Sequence, residues 1–110
     1  MDATATVERM YAAANGRNLD ALPEIFAADF YSHPLRQRGV EPIRAAWKTI
    51  FETFPELRVT PRRMIAAGDR VAVWSVIENV PGEPELMELI RVADDRIAEL
   101  WGLSSTNLRP

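Results

Sequence analysis

Residues 71–105 read VAVWSVIENVPGEPELMELIRVADDRIAELWGLSS, and this stretch decides the fold. Val71 to Val80 is rich in β-branched residues, which suit a pleated strand, and Pro81-Gly82-Glu83-Pro84 turns the chain. Glu85 to Val92 then reads as a strand, Ala93-Asp94-Asp95 as a short turn, and Arg96 to Ser105 as a further strand. Toward the N-terminus, Gly68-Asp69 is a turn and Leu57 to Ala67 one more strand. Its Pro61 has no N–H for a ladder, so this strand belongs at a sheet edge or contains a bulge. Successive strands joined by short turns predict an antiparallel meander.

The residues ahead of the meander have a different period. In Ala3 to Asn15, Val7, Met10, Tyr11 and Ala14 follow the three-and-four spacing of one helix face. Asn15-Gly16 is expected to end this helix, because both residue types tolerate the left-handed conformation. Asn18 is expected to cap a second, short helix with Asp20 in its first turn and Leu22, Ile25 and Phe26 facing inward. Asp29 to His33 reads as an extended piece closed by Pro34, which disfavours a helical residue before it. Val40 to Phe54 carries the stripe Ile43, Trp47, Ile50, Phe51 and Phe54 of a third helix. Asn107 to Pro110 reads as a loose tail. Three helices followed by a meander predict an α+β fold, one domain over residues 1–110, with the helices on one sheet face.

Composition narrows the function. The 110 residues are 47% hydrophobic and 26% charged, an ordinary globular mixture. A net charge of −3 argues against nucleic-acid binding through bulk charge. Without cysteine there is no disulfide framework, thiolate metal site or cysteine nucleophile, and the single histidine cannot build a multi-histidine metal site. No metal and no cofactor are expected. No apolar run approaches the ~20 residues of a membrane span. Met1 to Arg9 lacks the shape of a signal peptide, so a cytoplasmic location is expected.

Several segments occur in order over nearly the whole chain: Asn18-Leu19-Asp20-Ala21-Leu22, Asp29-Phe30-Tyr31-Ser32-His33-Pro34, Gly39, Phe54-Pro55-Glu56-Leu57, Ala67-Gly68-Asp69-Arg70-Val71, Ile90-Arg91-Val92, and Asp95 through Trp101. Together they resemble the SnoaL-like polyketide-cyclase branch of the nuclear transport factor 2-like superfamily, distant relatives of which are the ketosteroid isomerases. The resemblance implies a cone-shaped, curved antiparallel sheet whose concave face, closed by three helices, forms a pocket. That fold hosts many unrelated activities, so the function has to come from the site.

Strand alternation assigns side chains to faces. A three-residue loop at Ala93-Asp94-Asp95, with Asp95 left-handed, sets Glu88 opposite Leu100, and a symmetrical turn at Gly82-Glu83 sets Trp74 opposite Arg91. Leu86, Glu88, Ile90, Ala98, Leu100, Gly102 and Ser104 then share a face with Val73, Ser75 and Ile77. Trp74, Met87, Leu89, Arg91, Glu99 and Trp101 take the other. The likeness to ketosteroid isomerases implies that the Glu88 face lines the pocket.

Two ionisable residues stand out as catalytic candidates. His33 precedes Pro34 where the resembling proteins often hold a pocket-facing polar group, and histidine suits acid–base work near neutral pH. It is alternatively a structural histidine bonded to a loop carbonyl. Glu88, between Leu86 and Ile90, is costly to bury unless paired or protonated, and a raised pKa makes it a neutral donor or a general acid. A register slip of one residue would instead turn it to solvent. Tyr31 and Trp47 are expected in the pocket floor or the core, Ile90 and Leu100 on the pocket wall, and Ser75 or Ser104 orienting a ligand. Ser104 departs from the resemblance, which implies an acid–base aspartate three residues after Trp101. A pocket tyrosine on the first helix is also implied at the position of Met10, with Tyr11 one step round.

Trp74, Met87, Leu89, Arg91 and Trp101 form an apolar patch expected to mediate a homodimer, or else to pack under the C-terminal tail. The expected function is binding of a small apolar carbonyl or epoxide compound with cofactor-free acid–base chemistry through His33 and Glu88, whether cyclisation, isomerisation or hydration. The competing reading is a non-catalytic ligand carrier or dimeric interaction module.

Overall fold

The computed structural model describes residues 2–105, so the expected tail at Asn107–Pro110 lies outside the described residues. Helix α1 spans Ala3–Asn15, as its periodicity predicts, and buries Val7, Met10, Tyr11 and Ala14. Asp2 caps it by accepting from Ala5 N at 3.0 Å. Its C-terminal end differs from expectation. Gly16 is right-handed (φ −85°), and the left-handed residue is Arg17 (φ 59°). Space at Gly16 is tight: a Cβ there would lie 3.1 Å from Ala12 O. Asn18 makes no side-chain cap. A 3₁₀ turn, Leu19–Ala21, leads instead into the short α2, Leu22–Ile25.

Strand β1 (Phe26–Ser32) starts three residues before the expected extended piece, and a two-residue β2 (Gln37–Arg38) pairs back on it. Helix α3 spans Val40–Thr53. Then come β3 (Arg58–Ala67), β4 (Arg70–Glu78), β5 (Glu85–Ala93) and β6 (Arg96–Ser104). The strands form one six-stranded sheet in the order β2-β1-β6-β5-β4-β3. The meander is antiparallel as predicted, whereas β1 joins β6 in parallel, so the sheet is mixed. β3 is the edge strand, and its register shifts between Pro61 and Arg63, so Pro61 sits at both an edge and a bulge.

The strand register corrects two expected pairings while keeping the faces of Glu88 and Trp74. Asp94 and Asp95 both have positive φ (52° and 60°) and make a two-residue turn, with Ala93 opposite Arg96. A register shift after Arg91 adds one residue on β6, so Glu88 faces Gly102 and Leu100 faces Ile90. At the other hairpin, the loop between Glu78 and Glu85 is asymmetric, with positive φ at Asn79, Gly82 and Glu83. Trp74 therefore pairs with Met87, and Arg91 with Arg70. Around Glu88 and Trp74 the slips are even numbers of residues, so those side chains keep their faces. Past the shift after Arg91 the slip is one residue. Ala98, expected beside Glu88, therefore lines the opposite face with Glu99, while Ile97 turns into the core.

The α3 stripe also has an unexpected role. Only Ile43 is buried, and Ile50 is 43% exposed. The core is packed mainly by α1, α2 and the sheet, through Val7, Leu22, Phe26, Phe30, Val71, Ile90 and Ile97. Ile43 joins that core and Trp47 packs against it, and both, with Ile50 and Phe51, also wall a cavity.

Candidate functional site

Between the concave sheet face and the helices lies an apolar cavity of about 320 Å³. Helix α1 contributes Met10, Tyr11 and Ala14, and α3 contributes Ile43, Ala46, Trp47, Ile50 and Phe51. The sheet adds Phe26, Ser32, Val59, Ile77, Leu86, Glu88, Leu100, Gly102, Leu103 and Ser104. Two side-chain anchors hold the wall of α1 against β3 and the end of α3. Asn15 both donates to Val59 O and accepts from Val59 N, each at 2.9 Å. Arg17 donates to Pro55 O and Leu57 O, and its guanidinium lies 4.1 Å over the Phe51 ring.

Glu88 is the one carboxyl among these wall residues. Its Oε1 accepts from the Tyr11 hydroxyl at 2.5 Å, and the buried Ser75 Oγ lies 3.4 Å from that hydroxyl. Glu88 keeps some accessible surface because it borders the cavity, yet burial among apolar groups dominates its ionisation and raises its pKa. The Tyr11 hydrogen bond opposes that rise without cancelling it. Tyr11 is pushed up as well, first by burial and then by the negative charge of Glu88. The pair therefore favours a neutral phenol donating to a carboxyl that resists ionisation.

Tyr11 is the residue that sequence reasoning missed. It appears as part of a buried helix stripe, one step from the position implied for a pocket tyrosine. Here the hydroxyl of Tyr11 itself reaches the carboxyl, and Met10 lines the cavity beside it. A usable signal was present: a tyrosine on a buried helix face needs a partner for its hydroxyl. A glutamate on a strand face beneath that helix needs one for its carboxylate.

His33 is not in this cavity. It follows β1 on the opposite side of the sheet, its backbone N bonding Leu100 O at 2.9 Å. Its ring stacks on Trp101 (4.5 Å between centroids, 12° between planes), and Nε2 sits 2.7 Å from Glu99 Oε2. Glu99 Oε1 accepts from Arg91 Nε at 3.1 Å. The hydrogen bond from His33, with that from Arg91 and its charge, holds the Glu99 carboxyl below the usual range. His33 thus belongs to a part-exposed, ion-paired cleft that also includes Tyr31, Asp29, Arg38 and Arg96. Tyr31, at 4.8 Å edge-on to His33, lines this cleft rather than a cavity floor. The expected meeting of His33 and Glu88 does not occur, because the sheet separates them.

The other expected ligand contacts divide. Trp47, Leu100 and Ser104 line the cavity, whereas Ser75 acts on it through Tyr11, and Ile90 is wholly buried in the core. Trp74, Met87 and Leu89 are exposed on the convex face, with Trp74 Nε1 donating to Glu85 at 2.9 Å. Among the described residues no group of three or more histidine, cysteine, aspartate or glutamate side chains is placed to hold a metal. No helix among them is long and apolar enough to cross a membrane.

Comparison with known proteins agrees with this architecture. No curated protein matches the chain in sequence. Among solved structures, IdmH of Streptomyces antibioticus, a candidate polyketide cyclase, is 25% identical with a TM-score of 0.85, covering 96% of this chain and 94% of its own. A candidate polyketide cyclase from Sinorhizobium meliloti is 24% identical (TM-score 0.81; 94% of this chain, 100% of that one). TsrD of Streptomyces laurentii is 19% identical (TM-score 0.79; 94% and 87%) and shares the fold. The SnoaL-like domain family matches residues 7–100, from the α1 residues beside Tyr11 to the strand that carries the cavity wall, and the chain belongs to that family.

Proposed function

We propose that the protein binds a small, largely apolar carbonyl or epoxide compound in the concave cavity and performs cofactor-free acid–base chemistry on it. The reaction class is that of a cyclase, isomerase or hydrolase, the first being the assignment carried by the structural relative IdmH. One observation carries this reading: the Tyr11 hydroxyl 2.5 Å from Glu88 Oε1, at the wall of an otherwise apolar cavity. A carboxyl with a raised pKa keeps a proton to donate at a pH where a freely solvated glutamate has lost it. Tyr11 occupies Oε1, leaving Oε2 for the oxygen of the ligand. The chain Ser75, Tyr11, Glu88 polarises in one direction and strengthens the final bond to that oxygen. Trp47 and Leu100 receive the apolar body, and Ser104 is a further polar contact at the wall.

The test uses exchange of α-hydrogen for deuterium in cyclohexanone dissolved in D₂O, followed by proton NMR. Wild-type protein should accelerate exchange, and Glu88→Gln should remove about 10²-fold or more of that acceleration. No acceleration by the wild type would falsify the catalytic reading. A second reading is a ligand carrier, favoured because, among the described residues, Glu88 and Tyr11 are the only titratable groups on the cavity wall and Ser104 stands where a second carboxyl is implied. Saturable cyclohexanone binding without exchange selects it.

The convex face supports a homodimer as part of the same proposal. The register lines up Ile65, Ala72, Leu89 and Trp101 across β3 to β6, and Arg63, Trp74, Met87 and Leu103 in the next row. Ile65, Met87 and Leu103 are 68%, 52% and 55% exposed, a continuous apolar strip that a second copy would cover. Sedimentation at tens of micromolar should give a dimer, and Met87→Asp a monomer. A monomeric wild type removes the dimer.

A further inference from the structure

Gly102 lies inside β6, directly opposite Glu88 on β5, and borders the cavity. Glycine in a strand interior loses conformational entropy and packs nothing, so its presence needs a reason. The backbone supplies none, because the glycines with positive φ are Gly39, Gly68 and Gly82. Packing supplies none either. A Cβ at Gly102 would lie 3.6 Å from Glu88 Cγ, 3.6 Å from Pro34 Cγ and 3.7 Å from Leu100 Cδ2, all ordinary contacts. Gly16 differs, since its Cβ would press on a backbone oxygen. At Gly102 a methyl group would fit the protein. What it would occupy is the space beside the Glu88 carboxyl.

We infer that Gly102 sets the width the ligand may have at its polar end, so that a ketone branched at the carbons flanking its carbonyl is admitted there. This rests on the proposed placement of the ligand oxygen at Glu88. Such an oxygen brings its flanking carbons to within about one carbon's width of the Glu88 side chain, which is where the missing Cβ lies. A linear methyl ketone is narrow there and needs no such room. A ketone branched at both flanking carbons fills it. Gly102 is thus a specificity-determining residue that leaves the proton chemistry of Glu88 untouched.

The experiment compares 2-adamantanone, broad at its carbonyl, with 2-hexanone, narrow there, by NMR titration of isotope-labelled protein. Wild type should bind both. Gly102→Ala should weaken 2-adamantanone tenfold or more and 2-hexanone less than twofold, with an unfolding temperature equal to or above that of the wild type. Equal weakening of both ketones, or none, overturns the inference alone. So does loss of folding in Gly102→Ala, because the glycine would then serve packing. If neither ketone binds the wild type, or if Glu88→Gln leaves 2-adamantanone binding unchanged, the placement at Glu88 fails and the inference falls with it.

Discussion

Glu88 and Glu99 sit on adjacent strands of one sheet, and each meets one aromatic partner, yet their carboxyls are driven in opposite directions. On the concave face Glu88 meets a neutral phenol in apolar surroundings, so burial wins and its pKa rises. On the convex face Glu99 meets His33 and Arg91 in a part-exposed cleft, so hydrogen bonds and charge win and its pKa falls. Residue type does not decide the chemistry of either group. The side of the sheet does, because it fixes how much solvent remains and whether the partner is a cation. A carboxyl that resists ionisation suits proton transfer, whereas one locked into ion pairs suits holding structure together.

The largest expected effect tests whether the concave pair is a unit. At pH 7, Tyr11→Phe deprives Glu88 of the phenol hydrogen bond and should cost about 1–3 kcal/mol, read from urea unfolding. Glu88→Leu should cost less, because the Tyr11 hydroxyl still has Ser75 nearby. The double variant Tyr11→Phe/Glu88→Leu should recover most of the loss, since removing both polar groups removes the need that each meets in the other. Simple additivity of the two losses would break the claim that they are coupled.

How much of this contrast was legible in the chain follows from period and parity. The helix stripe of Ala3–Asn15 and the meander follow from apolar spacing, and the face of Glu88 survives wrong turn geometries because both slips were even. The position of His33 did not follow. It lies just beyond β1, where strand alternation no longer binds it, and the parallel pairing of β1 with β6 involves segments more than sixty residues apart that no local pattern connects. Tyr11 was visible only as a hydrophobic-stripe residue. Its hydroxyl finds Glu88 through the packing of α1 across the sheet, at a depth that sequence spacing does not specify. The α3 stripe was legible as amphipathic, but the pattern is the same for a core-facing helix and for one that walls a cavity.

A second, smaller effect sharpens the comparison through pH. The folded chain holds the Glu88 proton more tightly than the unfolded chain does, so folding binds protons between the ordinary glutamate pKa of 4.5 and the raised one. Stability should fall as pH rises through that window. Glu99 has the opposite sign. Its folded pKa is depressed, so its contribution is present above the ordinary glutamate range and is lost as pH falls through the depressed value. Urea midpoints measured across the acid range should show both limbs. Glu88→Gln should flatten the limb at higher pH and Glu99→Gln the limb at lower pH. Tyr11→Phe should extend the falling limb upward, because the phenol bond is what restrains the rise of Glu88. Loss of the same limb in both glutamine variants would erase the distinction between the faces.

The smallest effect belongs to the convex cluster. His33→Ala removes the stacking on Trp101 and one of the two hydrogen-bond partners of Glu99. Arg91 remains against the other carboxylate oxygen, and His33 is 37% exposed, so solvent takes over much of what the imidazole supplied. Exposed ion pairs contribute about 0–1 kcal/mol, and the change in urea midpoint should fall within that range and shrink in added salt. The same substitution should leave α-hydrogen exchange of cyclohexanone unchanged, since a sheet stands between His33 and the Glu88 cavity. A loss of exchange in His33→Ala comparable to that in Glu88→Gln would mean that the two faces act as one site, and the separation argued from their environments would fail.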